Sequence, residues 1–160
     1  MHLKDVVFED FVNYKKPCMF LVSCMCDWKC CREQGLDITA CQNSDIASKP
    51  THDYADKEIY KAYINNNISK ALVIGGLEPF MQTDEVLSIV DIFRFNGCFD
   101  DIVIYSGYNE TEISSTIEKL KNYENIIIKF GRFIPGQTPH FDEVLGVNLI
   151  SDNQYAKRIS

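Results

Sequence analysis

The sequence predicts an α/β fold with a parallel sheet, and three observations lead to this prediction. Short apolar runs rich in β-branched residues alternate with stretches of helical periodicity, and glycine-containing turns follow several of these runs. The 160 residues suffice for one domain with a core of its own. Alternating strands and helices are typical of βαβ units, in which crossover helices join parallel strands.

The predicted elements follow one another without repeats or linkers. Residues 1–17 are expected to form a short strand or edge segment and a turn. Strands are predicted at 18–23, 71–74, 101–105, 124–130 and 146–150, the last before a polar tail. Helices are predicted from 53 or 54 to 65, from Thr83 to 95 with an N-cap region at 83–85, and at 111–122. Residues 43–50 and 131–141 are predicted loops.

Three segments that could carry chemistry come directly after predicted strands. They are the cysteine-rich stretch after residue 23, the Gly75-Gly76 pair and the Ser106-Gly107 pair. Ligands of parallel α/β sheets collect at the carboxyl ends of the strands. The sequence therefore predicts one site at this edge, whatever the family.

The charge balance argues against nucleic acid and membranes as partners. Lysine and arginine total 16 against 23 acidic residues, giving a net charge of −7, whereas nucleic-acid binding depends on a basic face. The sequence has no apolar run long enough to span a bilayer. Its charged beginning lacks the apolar segment of a signal peptide. Together with many cysteines, these features predict a cytoplasmic protein.

Six of the seven cysteines lie between Cys18 and Asn43. Disulfides are typical of small secreted domains, and structural zinc is typical of paired C-x2-C motifs, which this chain lacks. Iron–sulfur clusters also use thiolates. Cys26, Cys30 and Cys41 could hold such a cluster and leave one iron open to a small ligand. All three uses of the cysteines stay open on the residues alone.

The cysteine spacing resembles one known family. Cys26-Asp-Trp-Lys-Cys30 resembles the first half of the C-x3-C-x2-C motif of radical S-adenosylmethionine enzymes. The segment 41–43, Cys-Gln-Asn, is similar to the end of this motif in proteins that activate glycyl-radical enzymes. Ten residues separate Cys30 from Cys41 here, where the family motif has a short gap, so the adjacent Cys31 is an alternative third ligand.

Two further turns extend the resemblance. The segment 75–79, Gly-Gly-Leu-Glu-Pro, resembles the Gly-Gly-Glu-Pro motif that holds the amino group of S-adenosylmethionine, with Leu77 as an extra residue; alternatively it is a simple turn. Ser106-Gly107-Tyr108 resembles a strand end of the anaerobic ribonucleotide reductase activating proteins. The Ser106 hydroxyl could bind the cofactor or satisfy its own backbone. Arg132 could bind a carboxylate with two hydrogen bonds or be a solvated surface charge.

The resemblance spans nearly the whole chain and implies a fold and a set of ligands. It implies a partial, open (β/α) barrel of the radical S-adenosylmethionine type, forming one domain over 1–160 with an N-terminal cluster-binding loop at 24–43. The implied ligands of a [4Fe-4S] cluster are Cys26, Cys30 and Cys41. The implied S-adenosylmethionine-binding residues are Asn43, Gly75, Gly76, Glu78, Ser106, Gly107 and Arg132.

The resemblance also implies an activity. A reduced cluster would cleave S-adenosylmethionine, and the resulting 5′-deoxyadenosyl radical would take hydrogen from a glycine of a partner enzyme. That partner would be a glycyl-radical enzyme such as anaerobic ribonucleoside-triphosphate reductase, with reduced flavodoxin or ferredoxin as electron donor. No side chain is expected to be catalytic, because cluster and cofactor carry the chemistry. The alternatives are a radical S-adenosylmethionine enzyme with another substrate and a non-catalytic metal-binding module.

Overall fold

The computed structural model describes residues 1–160 and contains nine strands and five α-helices. The strands are β1 (His2–Asp10), β2 (Cys18–Ser23), β3 (His52–Asp53), β4 (Ala71–Gly76), β5 (Asp101–Tyr105), β6 (Ile126–Phe130), β7 (His140–Asp142), β8 (Val147–Leu149) and β9 (Tyr155–Arg158). The helices are α1 (Lys29–Glu33), α2 (Ser44–Ser48), α3 (Asp56–Asn65), α4 (Thr83–Phe95) and α5 (Ser114–Leu120). Short 3-10 segments lie at Ile38–Ala40, Pro79–Gln82 and Glu110–Glu112.

Seven strands form one mixed sheet in the order β3-β1-β2-β4-β5-β6-β9. Strands β2, β4, β5 and β6 are parallel, which confirms the predicted βαβ arrangement. Strands β1 and β9 pair antiparallel with the two outer members of this row. The sheet has two edges and is therefore open, and β7 and β8 form a separate hairpin.

Both faces of the parallel strands are covered. On one face, α3, α4 and α5 pack through residues such as Ile59, Phe93 and Ile117 against Ile74, Ile104 and other strand side chains. On the opposite face, Tyr14 from the β1–β2 turn and Leu145 and Leu149 from the β7–β8 hairpin cover Val73 and Val103. Burial on both faces explains why these strands are apolar throughout rather than alternating.

The residues after the cysteines differ from the predicted loop. Residues 44–48 form the short helix α2, although serine, asparagine and aspartate favour turns and caps. Ile46 of this helix is half-buried and lines a cavity, and the Lys4 ammonium donates to the Ala47 carbonyl at 3.0 Å. Tertiary contacts of this kind can outweigh the local preference for a loop.

Three further boundaries differ from the predictions. Helix α3 begins at Asp56, because His52–Asp53 pairs with β1 instead. The predicted helix 111–122 divides into a 3-10 turn and α5. Strand β8 pairs with β7 and is not the last strand, because residues 155–158 of the predicted polar tail form β9. Arg158 of β9 pairs with Asp101 at 2.8 Å.

None of the helices combines the length and apolar character needed to cross a bilayer.

Candidate metal centre and cofactor cavity

A cavity of about 420 Å3 lies at the carboxyl ends of the parallel strands. Three cysteines, the Gly-Gly turn, the Ser-Gly turn and the end of β6 all contribute to its lining. The lining residues among those predicted from the sequence are Cys26, Cys30, Cys41, Asn43, Gly76, Glu78, Ser106 and Gly107. The structure thus brings together most of the predicted site residues, whereas Gly75 and Arg132 are not part of this lining.

The turn between Cys26 and Cys30 depends on an unusual backbone conformation. Trp28 adopts a left-handed conformation with φ of 57°, which is uncommon for a bulky residue. Its N–H donates to the Cys26 sulfur at 3.3 Å, and its carbonyl accepts the first hydrogen bonds of α1. Non-glycine residues in this region cost about 1–3 kcal/mol and cluster at functional sites. The turn directs Cys26 and Cys30 toward the same cavity.

The two adjacent cysteines of α1 have different surroundings. Cys30 lines the cavity, whereas Cys31 is buried and does not. Their sulfur atoms lie 3.8 Å apart. Adjacent residues of a helix do not face each other, so Cys30 can line the cavity while Cys31 is buried, although their sulfur atoms remain close. The geometry therefore favours Cys30 over Cys31 as a group that faces the cavity.

Cys41 approaches Cys30 despite the ten residues between them. The 3-10 turn Ile38–Ala40, capped by the Asp37 side chain, leads the chain back to the cavity. Interaction between the Cys41 and Cys30 thiols lowers the pKa of Cys30 and raises the pKa of Cys41. Burial raises the pKa of Cys26 to about 11. All seven cysteines are free thiols.

Glu78 is a buried carboxylate at the cavity wall. It accepts hydrogen bonds from the Ser106 hydroxyl at 2.9 Å, the Gly107 N–H at 2.8 Å and the Phe80 N–H at 3.1 Å. Burial outweighs these bonds and raises its pKa to about 7. The Ser106 oxygen also accepts from the Tyr108 N–H at 2.9 Å. Ser106 thus satisfies its own turn and supports Glu78.

The Gly-Gly turn needs glycine for internal reasons. Gly76 has φ of +88°, and a Cβ there would lie 2.7 Å from Val22 Cγ1. A Cβ on Gly75 would lie 3.1 Å from side-chain atoms of Phe20 and Tyr105. Close packing between strands therefore accounts for both glycines, in addition to any approach of a ligand.

Two other predicted cofactor residues make contacts within the protein. The Asn43 side-chain amide donates to the Gly76 carbonyl at 2.6 Å. Arg132 donates to both carboxylate oxygens of Glu112, at 2.7 and 2.6 Å, and to Glu33 at 3.1 Å. Its guanidinium thus ties α1 to the β5–α5 connection. The expectation that Arg132 binds a cofactor carboxylate has no support in this geometry.

Comparison with known protein families explains the cysteines. The family model of a 4Fe-4S single cluster domain matches residues 16–146. The chain belongs to this family. No curated protein and no solved structure gives a significant match.

The residues at the cavity fit the cluster that a 4Fe-4S single cluster domain holds. Thiolates are the usual ligands of such clusters, and Cys26, Cys30 and Cys41 all line the cavity. No three or more His, Cys, Asp or Glu side chains converge so that they could hold a metal ion as they stand. The three thiols that line the cavity are candidate ligands of the cluster, and the identity of the ligands stays a prediction.

Lys129 lines the cavity but was not predicted from the sequence as a site residue. It lies in β6, and only 7% of it is exposed. Its ammonium donates to the Gly131 carbonyl at 2.8 Å and to the Ser106 carbonyl at 3.5 Å. Burial lowers its pKa to about 8, and the charge of Glu78 opposes this shift. A single lysine within an otherwise apolar strand was the available signal, because lysine is almost never fully buried without a partner.

Proposed function

We propose that this 4Fe-4S protein is a radical S-adenosylmethionine enzyme whose open sheet is a partial barrel of that type. The main observation in support of the proposal is the set of residues that line one cavity. Three thiols line it together with the buried carboxylate of Glu78 and the buried ammonium of Lys129. The three thiols could bind a cluster, and the two charged groups could bind a zwitterionic ligand beside it.

The charges of the cavity match the amino acid part of S-adenosylmethionine. Glu78 offers a carboxylate to the ligand's ammonium group, and Lys129 offers an ammonium to its carboxylate. A charged group as buried as Lys129, which has only carbonyl partners, is stabilised when an anion binds nearby. Because both groups have low exposure, their hydrogen bonds to a ligand would be little weakened by solvent.

The three cysteines would leave one iron without a protein ligand. S-adenosylmethionine would bind at that position, beside Glu78 and Lys129. When bound, the reduced cluster and the cofactor supply one-electron cleavage that releases methionine and a 5′-deoxyadenosyl radical for hydrogen abstraction. The chain itself holds the cluster through Cys26, Cys30 and Cys41, orients the cofactor through Glu78 and Lys129, and limits water access through the covered sheet face.

The proposed substrate is a glycine in a partner protein. This finer proposal rests on the resemblance to activating proteins of glycyl-radical enzymes, with anaerobic ribonucleotide reductase as the first candidate and reduced flavodoxin or ferredoxin as electron donor. The exposed residues that line the cavity, among them Val12 and Ile150, are all uncharged. An uncharged rim suits a protein segment better than a highly charged small molecule.

A second candidate is a radical S-adenosylmethionine enzyme with a different substrate. The ten-residue segment between Cys30 and Cys41 favours it, because it departs from the short gap of the activating proteins. The cluster chemistry would be the same in both cases. Only the group that enters the open side of the cavity would differ.

The test begins with anaerobic reconstitution of the protein with iron and sulfide. After reduction with dithionite, we expect 5′-deoxyadenosine and methionine to form from S-adenosylmethionine. Adding an anaerobic ribonucleotide reductase should then produce a glycyl-radical signal in electron paramagnetic resonance. Cys98→Ala is the matched control, because Cys98 lies outside the cavity lining. A reduced cluster that never cleaves S-adenosylmethionine would disprove the enzyme proposal, and cleavage without a glycyl radical would favour the second candidate.

A further inference from the structure

Asn43 connects the third cavity thiol with the Gly-Gly turn. Its side-chain amide donates to the Gly76 carbonyl at 2.6 Å, and only one residue separates it from Cys41 in the chain. The connection is too short for Cys41 to move independently of Asn43. Any displacement of Asn43 would therefore be felt at both parts of the cavity wall.

The side chain of Asn43 does not make the capping hydrogen bond that is usual at its position. Asn43 occupies the N-cap position of α2, yet its side chain makes no capping hydrogen bond there. Asparagine is among the preferred N-cap residues and stabilises a helix by about 0.5–2 kcal/mol relative to alanine. The long-range bond to Gly76 thus replaces a local bond that the sequence would favour.

Other attachments of this segment are few. Between Gly35 and Ser44, the bond from Asn43 to Gly76 is the one side-chain hydrogen bond to a residue outside the segment, since the Asp37–Thr39 bonds are local. The nearest side-chain anchors on either side are the bond from Gln34 to the Phe133 carbonyl at 2.9 Å and the bond from Lys4 to the Ala47 carbonyl at 3.0 Å. None of the residues 35–45 is buried. Packing therefore contributes little to the position of Cys41, and the Asn43 bond carries a correspondingly large share.

We propose that Asn43 is a positioning residue that holds Cys41 in place for the cluster by anchoring it to the Gly-Gly turn. The inference rests on the proposed function to the extent that Cys41 is a cluster ligand. Residues that orient a metal ligand without touching the metal typically change metal affinity about 10–100-fold when they are replaced. Cluster retention and cofactor affinity then become coupled, because each depends on the same bond.

The test compares Asn43→Ala with the matched control Gln42→Ala. Gln42 is the neighbouring residue, and its side chain makes no hydrogen bond in this structure, so its truncation removes similar atoms without removing an anchor. Both variants and the wild type are reconstituted anaerobically and exposed to an excess of an iron chelator. We expect Asn43→Ala to release iron about tenfold faster than the wild type, with Gln42→Ala unchanged.

Two further variants separate the hydrogen bond from the size of the side chain. Asn43→Asp has nearly the same shape but sets a carboxylate oxygen against the Gly76 carbonyl, and should release iron at least as fast as Asn43→Ala. Asn43→His restores an N–H donor and should slow the release. In the cluster-free proteins, hydrogen exchange at residues 41–43 should rise in Asn43→Ala and Asn43→Asp relative to Gln42→Ala. This readout needs neither cluster nor activity.

The outcomes for Asn43 and for the proposed function differ. Iron release and hydrogen exchange at the wild-type level in Asn43→Ala would overturn the positioning role, even in a protein that cleaves S-adenosylmethionine. Conversely, faster iron release from Asn43→Ala in a protein that never binds S-adenosylmethionine would support the positioning role and disprove the enzyme proposal.

Discussion

The four parallel strands and the cysteine loop (residues 24–43) are stabilised in different ways. In β2, β4, β5 and β6 nearly every residue is buried, and helices or a hairpin cover both faces. In the cysteine loop only Cys31 is buried. The strands are stabilised mainly by burial of apolar surface, whereas the loop depends on a few polar contacts and on whatever occupies the cavity. A 4Fe-4S cluster would therefore supply the core that this loop lacks.

The largest expected effect comes from the cavity cysteines. Cys26→Ala, Cys30→Ala and Cys41→Ala should each lose the cluster, since each removes one of three ligands. Cys24→Ala and Cys31→Ala should keep it, because neither thiol lines the cavity. Iron content and the electron paramagnetic resonance of the reduced cluster measure this directly. A Cys41→Ala protein with full iron and an unchanged signal would show that Cys31 serves instead.

Removing the cluster should affect the loop far more than the sheet. We expect amide exchange in residues 24–43 to become fast in the cluster-free protein while the β4 and β5 amides stay protected, because local stability follows buried contacts. A ligand present at 100 times its dissociation constant stabilises a protein by about 2.7 kcal/mol, so the thermal midpoint should also fall. Equal loss of amide protection in the strands and in the loop would show that the loop does not depend on the cluster more than the sheet does.

Gly76 lies at the junction of the two regions. Gly76→Ala should destabilise the protein by about 1–3 kcal/mol, because alanine is strained at this positive φ and its Cβ would lie 2.7 Å from Val22 Cγ1. Urea unfolding measures the change. Gly97→Ala is the matched control, since Gly97 also has a positive φ but no atom within 4 Å of the added Cβ. If the two variants are equally stable, the contact with Val22 is unimportant.

The affinity for S-adenosylmethionine should depend on pH through Glu78 and Lys129. Glu78 has a pKa raised to about 7, so it loses its charge as the pH falls below that value. Lys129 has a pKa lowered to about 8, so it loses its charge as the pH rises above it. Affinity measured on the reconstituted protein should therefore be highest between these values. Glu78→Gln should remove the acidic limb and Lys129→Met the alkaline limb, and an unchanged profile in both would exclude these roles.

The smallest expected effect is at the ion pairs between loop and sheet. Glu112 pairs with Arg132 and with Lys29 of α1, and the hydrogen bonds from Arg132 lower the pKa of its carboxyl. The contribution of Glu112 to the free energy of unfolding is thus fully present above the ordinary carboxylate pKa, and it is lost as the pH falls through the lowered pKa. Glu112→Gln should cost at most about 1 kcal/mol near neutral pH. A larger loss in thermal unfolding would mean that these contacts matter more than their exposure indicates.

The four parallel strands were predicted well from the sequence, and the reason is physical. Strands such as β4 and β5 are covered on both faces, so continuous apolar runs indicate them directly. Strand β9 was missed because Tyr155, Lys157 and Arg158 read as a polar tail, and their pairing with β6 depends on distant residues such as Asp101. Helix α2 was missed because Ile46 packs into a cavity that the local sequence does not reveal.

The candidate site was predictable to the extent that it follows strand ends. Cys26 and Cys30 lie in the segment after β2, and Gly76 is the last residue of β4, so topology alone brings them together. The cofactor role of Arg132 stays a prediction, and the sequence does not show that Glu33 and Glu112 are its partners. Lys129 was not predicted, because its hydrogen bonds to the Ser106 and Gly131 carbonyls form only in the folded chain. Side-chain contacts of this kind are not visible in the sequence.

The antiparallel strand β9 prevents a further parallel strand from joining the sheet beside β6. It occupies the outer edge of β6 through a ladder that includes Ile127–Arg158 and Phe130–Tyr155, so a further βα unit could join the parallel row there only by breaking this ladder. Related chains would therefore diversify by lengthening the segments that follow the strands, where new residues meet solvent instead of a packed neighbour. The residues between Cys30 and Cys41 lie in a segment of this kind, which follows β2, and Cys31 alone among them is buried.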